Sequence, residues 1–198
     1  MNLFPVFLKL QGRPCLVVGA GAVAEAKVRS LLECGANVHV VGPKATPRVE
    51  QWAREGKIVW QARSFHPSDL EGTFLVVVAT SLRKANERVY QEAARQRVLC
   101  NAADDPTHCD FYYGAVVRRG PLQIAISTSG CSPALAQRLK RELARQFGPE
   151  YGAWVNQLGE GRRRLLARTM DPRRRQRLLH DLASGERYAA FLRHSSEE

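Results

Sequence analysis

The sequence predicts an α/β fold, a doubly wound parallel sheet followed by a small α+β region and a C-terminal helical domain. Three observations predict it. The stretch PCLVVGAGAVAEAKVRSLLECGANVHVVGP from Pro14 parses as strand, glycine turn, helix, glycine stop and strand. Short apolar runs and helical-period segments then alternate to about residue 105, which is the signature of parallel strands joined by helical crossovers. After Pro106 the rhythm changes, because strand follows strand and then helices take over.

Cys15 to Val18 is a continuous apolar run of the kind buried on both faces of a parallel sheet. From Val23 the apolar spacing lengthens to helical period through Val28, Leu31 and Leu32, and Gly35 sits where a left-handed C-cap belongs. A helix is expected around Arg48–Glu55, stopped by Gly56, then a strand at Ile58–Gln61 and a buried strand at Phe74–Ala79. A helix near Ala85–Gln96 leads to the run Val98–Asn101, so the first part reads as a sheet of roughly five strands. Phe111–Val117 and Leu122–Ser127 are β-rich runs separated by Arg118-Arg119-Gly120-Pro121, a hairpin-type interruption. Ser132 and Pro133 open a helix as N-cap and first-turn proline, with Leu135, Leu139 and Leu143 at four-residue spacing. Beyond Gly148-Pro149 the chain is helical and Arg-rich, broken at Asp171-Pro172, with a polar tail from His194. The expected domains are residues 1–113, 114–148 and 149–198.

With 198 residues and 44% hydrophobic content the chain is neither disordered nor fibrous, and it can bury one core of this kind. Its net charge of +11 is uneven: residues 1–113 hold 14 Lys/Arg against 11 Asp/Glu, and residues 114–198 hold 16 against 8. Such a bias attracts polyanions, whether nucleic acid, anionic lipid or a polycarboxylate metabolite, and a solvated Arg-rich helix surface is the competing reading. Aromatics for base stacking are scarce around Arg162–Arg164 and Arg173–Arg175, so no nucleic-acid partner is expected. The five cysteines show no CxxC pair and no zinc spacing, which fits reduced thiols in the cytoplasm. Pro5 and Lys9 break the N-terminal apolar stretch, so neither a signal nor a membrane anchor is expected.

Gly19-Ala20-Gly21-Ala22-Val23-Ala24 is a GxGxxA fingerprint set between strand and helix. Gly19 permits the tight turn, Gly21 lets a pyrophosphate approach the backbone, and Ala24 lets helix and strand pack closely, as in a Rossmann-type dinucleotide site. The acidic residue expected about 20 residues on is missing; Gly42-Pro43-Lys44 stands there. Lys44 either favours a 2′-phosphate or is an ordinary solvated lysine. Thr80 and Asn101 end later strands, where open α/β sheets place ligands. Asp104 and Asp105 follow on that rim, either as a base for oxidation at a carbon centre or as turn residues before Pro106. The hydroxyl-rich segment Ser127-Thr128-Ser129 precedes a helix start and reads equally as an anion site or as capping chemistry. His108-Cys109-Asp110 is not read as a metal site, because neighbouring side chains on an extended segment point to opposite faces. No metal ligands are expected.

Taken together, Leu3-Phe4-Pro5-Val6-Phe7, the strand-turn-helix from Val17, the Ala79-Thr80 strand end, Cys100-Asn101-Ala102-Ala103-Asp104 and the run Ser127 to Ala136 resemble the precorrin-2 dehydrogenase family. That family includes the N-terminal module of siroheme synthase and bifunctional dehydrogenase/ferrochelatases. The resemblance covers about residues 1–145 and implies NAD-dependent oxidation of precorrin-2 to sirohydrochlorin, with iron insertion as an open addition. It also implies a homodimer formed through the region after Asp110. Its essential aspartate falls on Asp104, and its cofactor contacts fall on Ala22-Val23 and Pro43-Lys44. Its serine loop falls on Ser127–Ser129, with Thr128 where some relatives carry a phosphorylated serine. Arg118, Arg119, Arg138 and Arg141 are then candidates to meet the substrate carboxylates. A non-catalytic NAD(H)-sensing regulatory module is the alternative, and it leaves Asp104 and the hydroxyl loop without a task.

Overall fold

The computed structural model describes residues 3–103, 105–168 and 171–195. It divides into two compact units, Met1–Tyr113 and Gly114–Glu198. The first holds β1 (Pro14–Val18), α1 (Ala22–Glu33), β2 (Asn37–Val41), α2 (Pro47–Arg54), β3 (Ile58–Gln61), β4 (Leu75–Val78), α3 (Arg83–Gln96) and β5 (Leu99–Ala102). All pairings are parallel, in the order β3-β2-β1-β4-β5. The order reverses between β1 and β4, and that switch point opens a crevice at the carboxyl ends of the strands.

Alternation along β1 and β4 divides the core between the two sheet faces. Cys15 and Val17 join Leu75 and Val77 under Ala24, Val28 and Leu31 of α1. Leu16 and Val18 join Val76 and Val78 under Val89 and Ala93 of α3. This two-sided burial explains the unbroken apolar runs. Helix α1 ends at Gly35, whose φ of +71° is the left-handed cap conformation expected from the sequence. Thr46 caps α2 by accepting from the Val49 N–H, and its hydroxyl donates to Glu25 of α1 at 2.8 Å.

The second unit holds β6 (Ala115–Arg119) and β7 (Leu122–Ile126), paired antiparallel, then α4 (Pro133–Gln146), α5 (Glu150–Leu166), α6 (Pro172–Leu182) and α7 (Gly185–Ser195). The hairpin turn is tighter than the sequence suggested. Arg119 pairs with Leu122, so the loop is Gly120-Pro121 alone, with Gly120 at φ +54° in the first central position. Arg118 and Arg119 are therefore strand residues. Asp171 caps α6 through the Arg174 N–H, in keeping with the expected break. The further break at Ala183-Ser184 carries no proline and was not anticipated. Trp154 of α5 packs against Phe191 and Tyr188 of α7, with ring centroids 5.2 and 5.8 Å apart. Among the described residues, no helix is long and apolar enough to cross a membrane.

Candidate functional site

The end of β1 meets the end of β4 through backbone alone. Gly19 has φ +108°, and a Cβ there would lie 2.3 Å from the Ala79 carbonyl oxygen. A side chain is thus excluded twice, by conformation and by space. Gly42, just past β2, is similarly confined, since its Cβ would come within 3.0 Å of Ala20. Gly21 differs. It is the N-cap of α1 with ordinary extended φ, and a Cβ there would meet no protein atom within 4 Å. No described side chain caps α1, so its first N–H groups point out unsatisfied, which is the requirement for receiving a pyrophosphate.

Around this turn runs a groove of about 550 Å³, within the range of ligand sites. Gly19, Gly21, Ala22 and Val23 of the glycine turn, Pro43 after β2, Thr80 after β4 and Ala103 after β5 all line it. Six of the eight residues expected to contact the cofactor therefore line one groove, and two do not. Lys44 follows Pro43 on an exposed turn and is not part of the lining. Asn101 is buried, and its amide donates to the Phe111 carbonyl at 2.8 Å and contacts Cys109 Sγ at 3.3 Å. It ties the chain after β5 to the strand end and lines a smaller adjoining hollow with Lys27, Tyr112 and Tyr113. The Thr80 hydroxyl donates to Asn86 Oδ1 at 2.5 Å and accepts from the Leu82 N–H, so it shapes the loop that forms the groove wall.

Sequence reasoning missed Arg63, Ser64 and Phe65, which also line this groove. They follow β3 on the same rim, so the rule that pointed to Thr80 and Asn101 applies equally to them. Arg63 is pinned by Asp69, with Nη1 2.9 Å from Oδ2 and Nη2 2.5 Å from Oδ1. Burial alone would raise the Asp69 carboxyl, but the bonds from Arg63 and from the His66 N–H hold it below its ordinary value.

Asp104 lies outside the described residues. Its neighbour Asp105 has a structural task. It accepts from the Thr107 hydroxyl at 2.5 Å and pairs with His108 Nδ1 at 2.7 Å, capping the short 3-10 turn Pro106–His108. The Thr107 hydroxyl first, and then His108, hold the Asp105 carboxyl below the ordinary carboxylate range, which makes it a poor base. Cys109 Sγ contacts the Ala102 and Asp105 carbonyls, and Asp110 accepts from the Cys100 N–H.

In the second unit the hydroxyl loop is a capping structure. Ser127 accepts from the Ser129 N–H, Thr128 from the Ser132 N–H and Ser132 from the Leu135 N–H. Ser129 adopts φ +51°, a left-handed conformation that costs a non-glycine residue about 1 kcal/mol or more. The backbone donors are thereby used internally, while the Ser127 and Thr128 hydroxyls donate in none of the bonds among the described residues. Arg119 has a different job from the one expected. Its Nε donates to the Phe147 carbonyl and Nη2 to the Ala144 carbonyl, each at 2.9 Å, so it caps the carboxyl end of α4. Arg138 pairs with Glu142 on the exposed side of the same helix.

This groove and this sheet order define a Rossmann-type fold with a dinucleotide-sized site at its switch point. Residues 6–115 match a family described as "Putative NAD(P)-binding", and residues 119–146 match one described as "Sirohaem biosynthesis protein central". Siroheme synthase 1 of Aeromonas hydrophila subsp. hydrophila is 35% identical over 198 residues, covering 100% of this chain and 42% of that protein. Siroheme synthase of Nitrosococcus oceani is 41% identical over 152 residues, covering 77% of this chain and 32% of its own. The chain thus spans less than half the length of these relatives. Among solved structures, SirC, a precorrin-2 dehydrogenase, superposes with a TM-score of 0.78 at 27% identity, covering 99% of this chain and 100% of that one. The chain belongs to this NAD(P)-binding family.

Proposed function

We propose that this chain is an NAD-dependent dehydrogenase that oxidises precorrin-2 to sirohydrochlorin. The observation that carries the proposal is the groove itself, lined by a helix start with no side-chain cap among the described residues, whose N-cap Gly21 leaves open space where a Cβ would be, together with a match to SirC over 99% of this chain. A bound NAD would supply the hydride acceptor for this oxidation. Backbone N–H groups at Ala22 and Val23 would hold its pyrophosphate, and the Thr80–Asn86 bond keeps the loop after β4 in shape. The oxidation also releases a proton, and Asp104 is the base assigned to it. Two points support that choice: Asp104 follows Ala103, which lines the groove, and Asp105 is already engaged by Thr107 and His108. Ser127, Thr128, Ser129, Arg118 and Arg138 are proposed to meet the substrate carboxylates, by hydroxyl donation and by Arg pairing. Arg119 is left out of that set because the α4 carbonyls occupy its guanidinium.

The working unit is proposed to be a homodimer. Within one chain α4 fully buries only Ala136 among its side chains and leaves Leu135 exposed, so the apolar stripe of this helix is available to a second copy. Action in the cytoplasm is supported by five free cysteines. Purified protein is to be incubated with precorrin-2 and NAD⁺ under anaerobic conditions, with the sirohydrochlorin spectrum and NADH recorded together. Asp104→Ala is expected to bind NAD, stay dimeric and lose most turnover, while Asp105→Ala keeps much of it. Equal turnover in the two variants would show that Asp104 is not the base. Iron insertion is assayed separately with Fe²⁺ and sirohydrochlorin.

A further inference from the structure

The turn after β2 carries no acidic residue, so the usual partner of an adenosine ribose is missing there. The neighbouring strand supplies a different group. Val41 is in register with Gln61, the Gly42 N–H donates to the Gln61 carbonyl at 3.1 Å, and the Arg63 N–H donates to the same carbonyl at 2.9 Å. These bonds bring the residue two beyond β3 alongside the turn at Gly42-Pro43, and Arg63 lines the groove with both.

All the terminal donors of that guanidinium are engaged. Nη1 donates to Asp69 Oδ2 and to the Ser64 carbonyl at 3.0 Å, and Nη2 donates to Asp69 Oδ1 and to Gln61 Oε1. The Arg63 Nε–H takes part in no bond among the described residues. Asp69 is itself fixed by the His66 N–H at 2.8 Å, and its side chain is only 10% exposed against 42% for Arg63.

We propose that the Arg63–Asp69 pair sets cofactor selectivity at the adenosine end, standing in for the missing carboxylate by admitting a ribose 2′-hydroxyl and excluding a 2′-phosphate. The inference rests on the reading that this groove takes a nicotinamide dinucleotide. A 2′-phosphate is a dianion that needs an open guanidinium fork or a free ammonium. Here the fork is closed by Asp69, so a phosphate would have to displace that carboxylate or sit beside it. A hydroxyl requires one donor or acceptor, which the free Nε–H or the adjoining backbone provides. Lys44, the other cation on this rim, stands outside the lining.

Two substitutions pull in opposite directions. Asp69→Asn removes the competing charge and releases Arg63 toward the groove, whereas Arg63→Gln leaves the Asp69 carboxylate unpaired beside it. Affinities of the full-length chain for NAD⁺ and NADP⁺ are to be measured by calorimetry, with circular dichroism and a thermal melt to establish folding. The unmodified protein is expected to favour NAD⁺ at least about tenfold, equivalent to about 1.4 kcal/mol. Asp69→Asn is expected to cut that ratio about tenfold by tightening NADP⁺, and Arg63→Gln to raise it. Ratios unchanged within about twofold, or moved in the same direction by both variants, overturn the inference. If Asp69→Asn does not fold, Arg63→Gln decides alone, and a ratio that falls or stays put is the refuting result. A preference for NADP⁺ in the unmodified protein overturns the inference and leaves the dinucleotide reading intact. Failure to bind either dinucleotide overturns both.

Discussion

Gly19 and Gly21 stand two residues apart in one motif, yet the structure assigns them opposite sensitivities. In Gly19→Ala the new Cβ would sit 2.3 Å from the Ala79 carbonyl oxygen, about 1 Å inside normal contact, on a backbone at φ +108°. The conformation costs about 1–2 kcal/mol, and forcing β1 from β4 adds about 1–3 kcal/mol. The expected loss is therefore about 2–5 kcal/mol, a large part of a typical domain's stability. In Gly21→Ala the Cβ meets no protein atom and φ is −81°, so stability should move by only about 0.5–1 kcal/mol. The same methyl group projects where the pyrophosphate approaches, and NAD affinity should fall at least about tenfold, or about 1.4 kcal/mol. Urea titration gives the first quantity and calorimetry with NAD⁺ the second. Gly21→Ala binding NAD⁺ like the unmodified protein, or Gly19→Ala as stable as the unmodified protein, would refute the division of labour between the two glycines.

Arg119→Ala should destabilise the protein by about 1–3 kcal/mol, because the carbonyls of Ala144 and Phe147 lose their donor, with KM for precorrin-2 unchanged. A raised KM without a change in melting temperature would return Arg119 to the substrate set. Asp105 titrates below its unfolded value, so the folded state holds that proton less readily than the unfolded chain. Its contribution is complete above about pH 4 and is lost as pH falls through the lower folded value. Acid melts of Asp105→Ala should accordingly show a shallower decline below pH 4, and identical slopes would remove the assignment. Burial raises the thiol of Cys15 to about 11 and that of Cys100 to about 12, so neither should react with iodoacetamide at pH 8, whereas the exposed Cys131 should be labelled first. Mass spectrometry of the labelled peptides reads the order.

The sheet was legible because its signals are local. Unbroken apolar runs mark β1 and β4, and Gly35 marks the end of α1. The six groove residues found in advance lie just past strand ends or at the start of α1, places that a periodicity reading locates closely. What escaped depends on partners that sequence distance hides. Arg119 reads as a turn cation until the carbonyls 25 and 28 residues later are brought to it. Asn101 sits where ligand contacts belong, but the returning segment at Cys109–Phe111 claims its amide. Arg63 was overlooked because the short turn at Pro67–Leu70, which supplies Asp69, has too few residues to show a period. The break between α6 and α7 lacks proline, so a continuous Arg-rich helix was the natural expectation.

The contact between Gly19 and the Ala79 carbonyl joins main chain to main chain, and this fixes the calibre of the cradle independently of the side chains beneath it. Exchanges among Val17, Val28 and Val77 would alter how firmly the sheet holds together while leaving the gap at its mouth the same width. The protein can therefore drift in its oily interior and still grip one nucleotide, because the gauge is cut in peptide bonds.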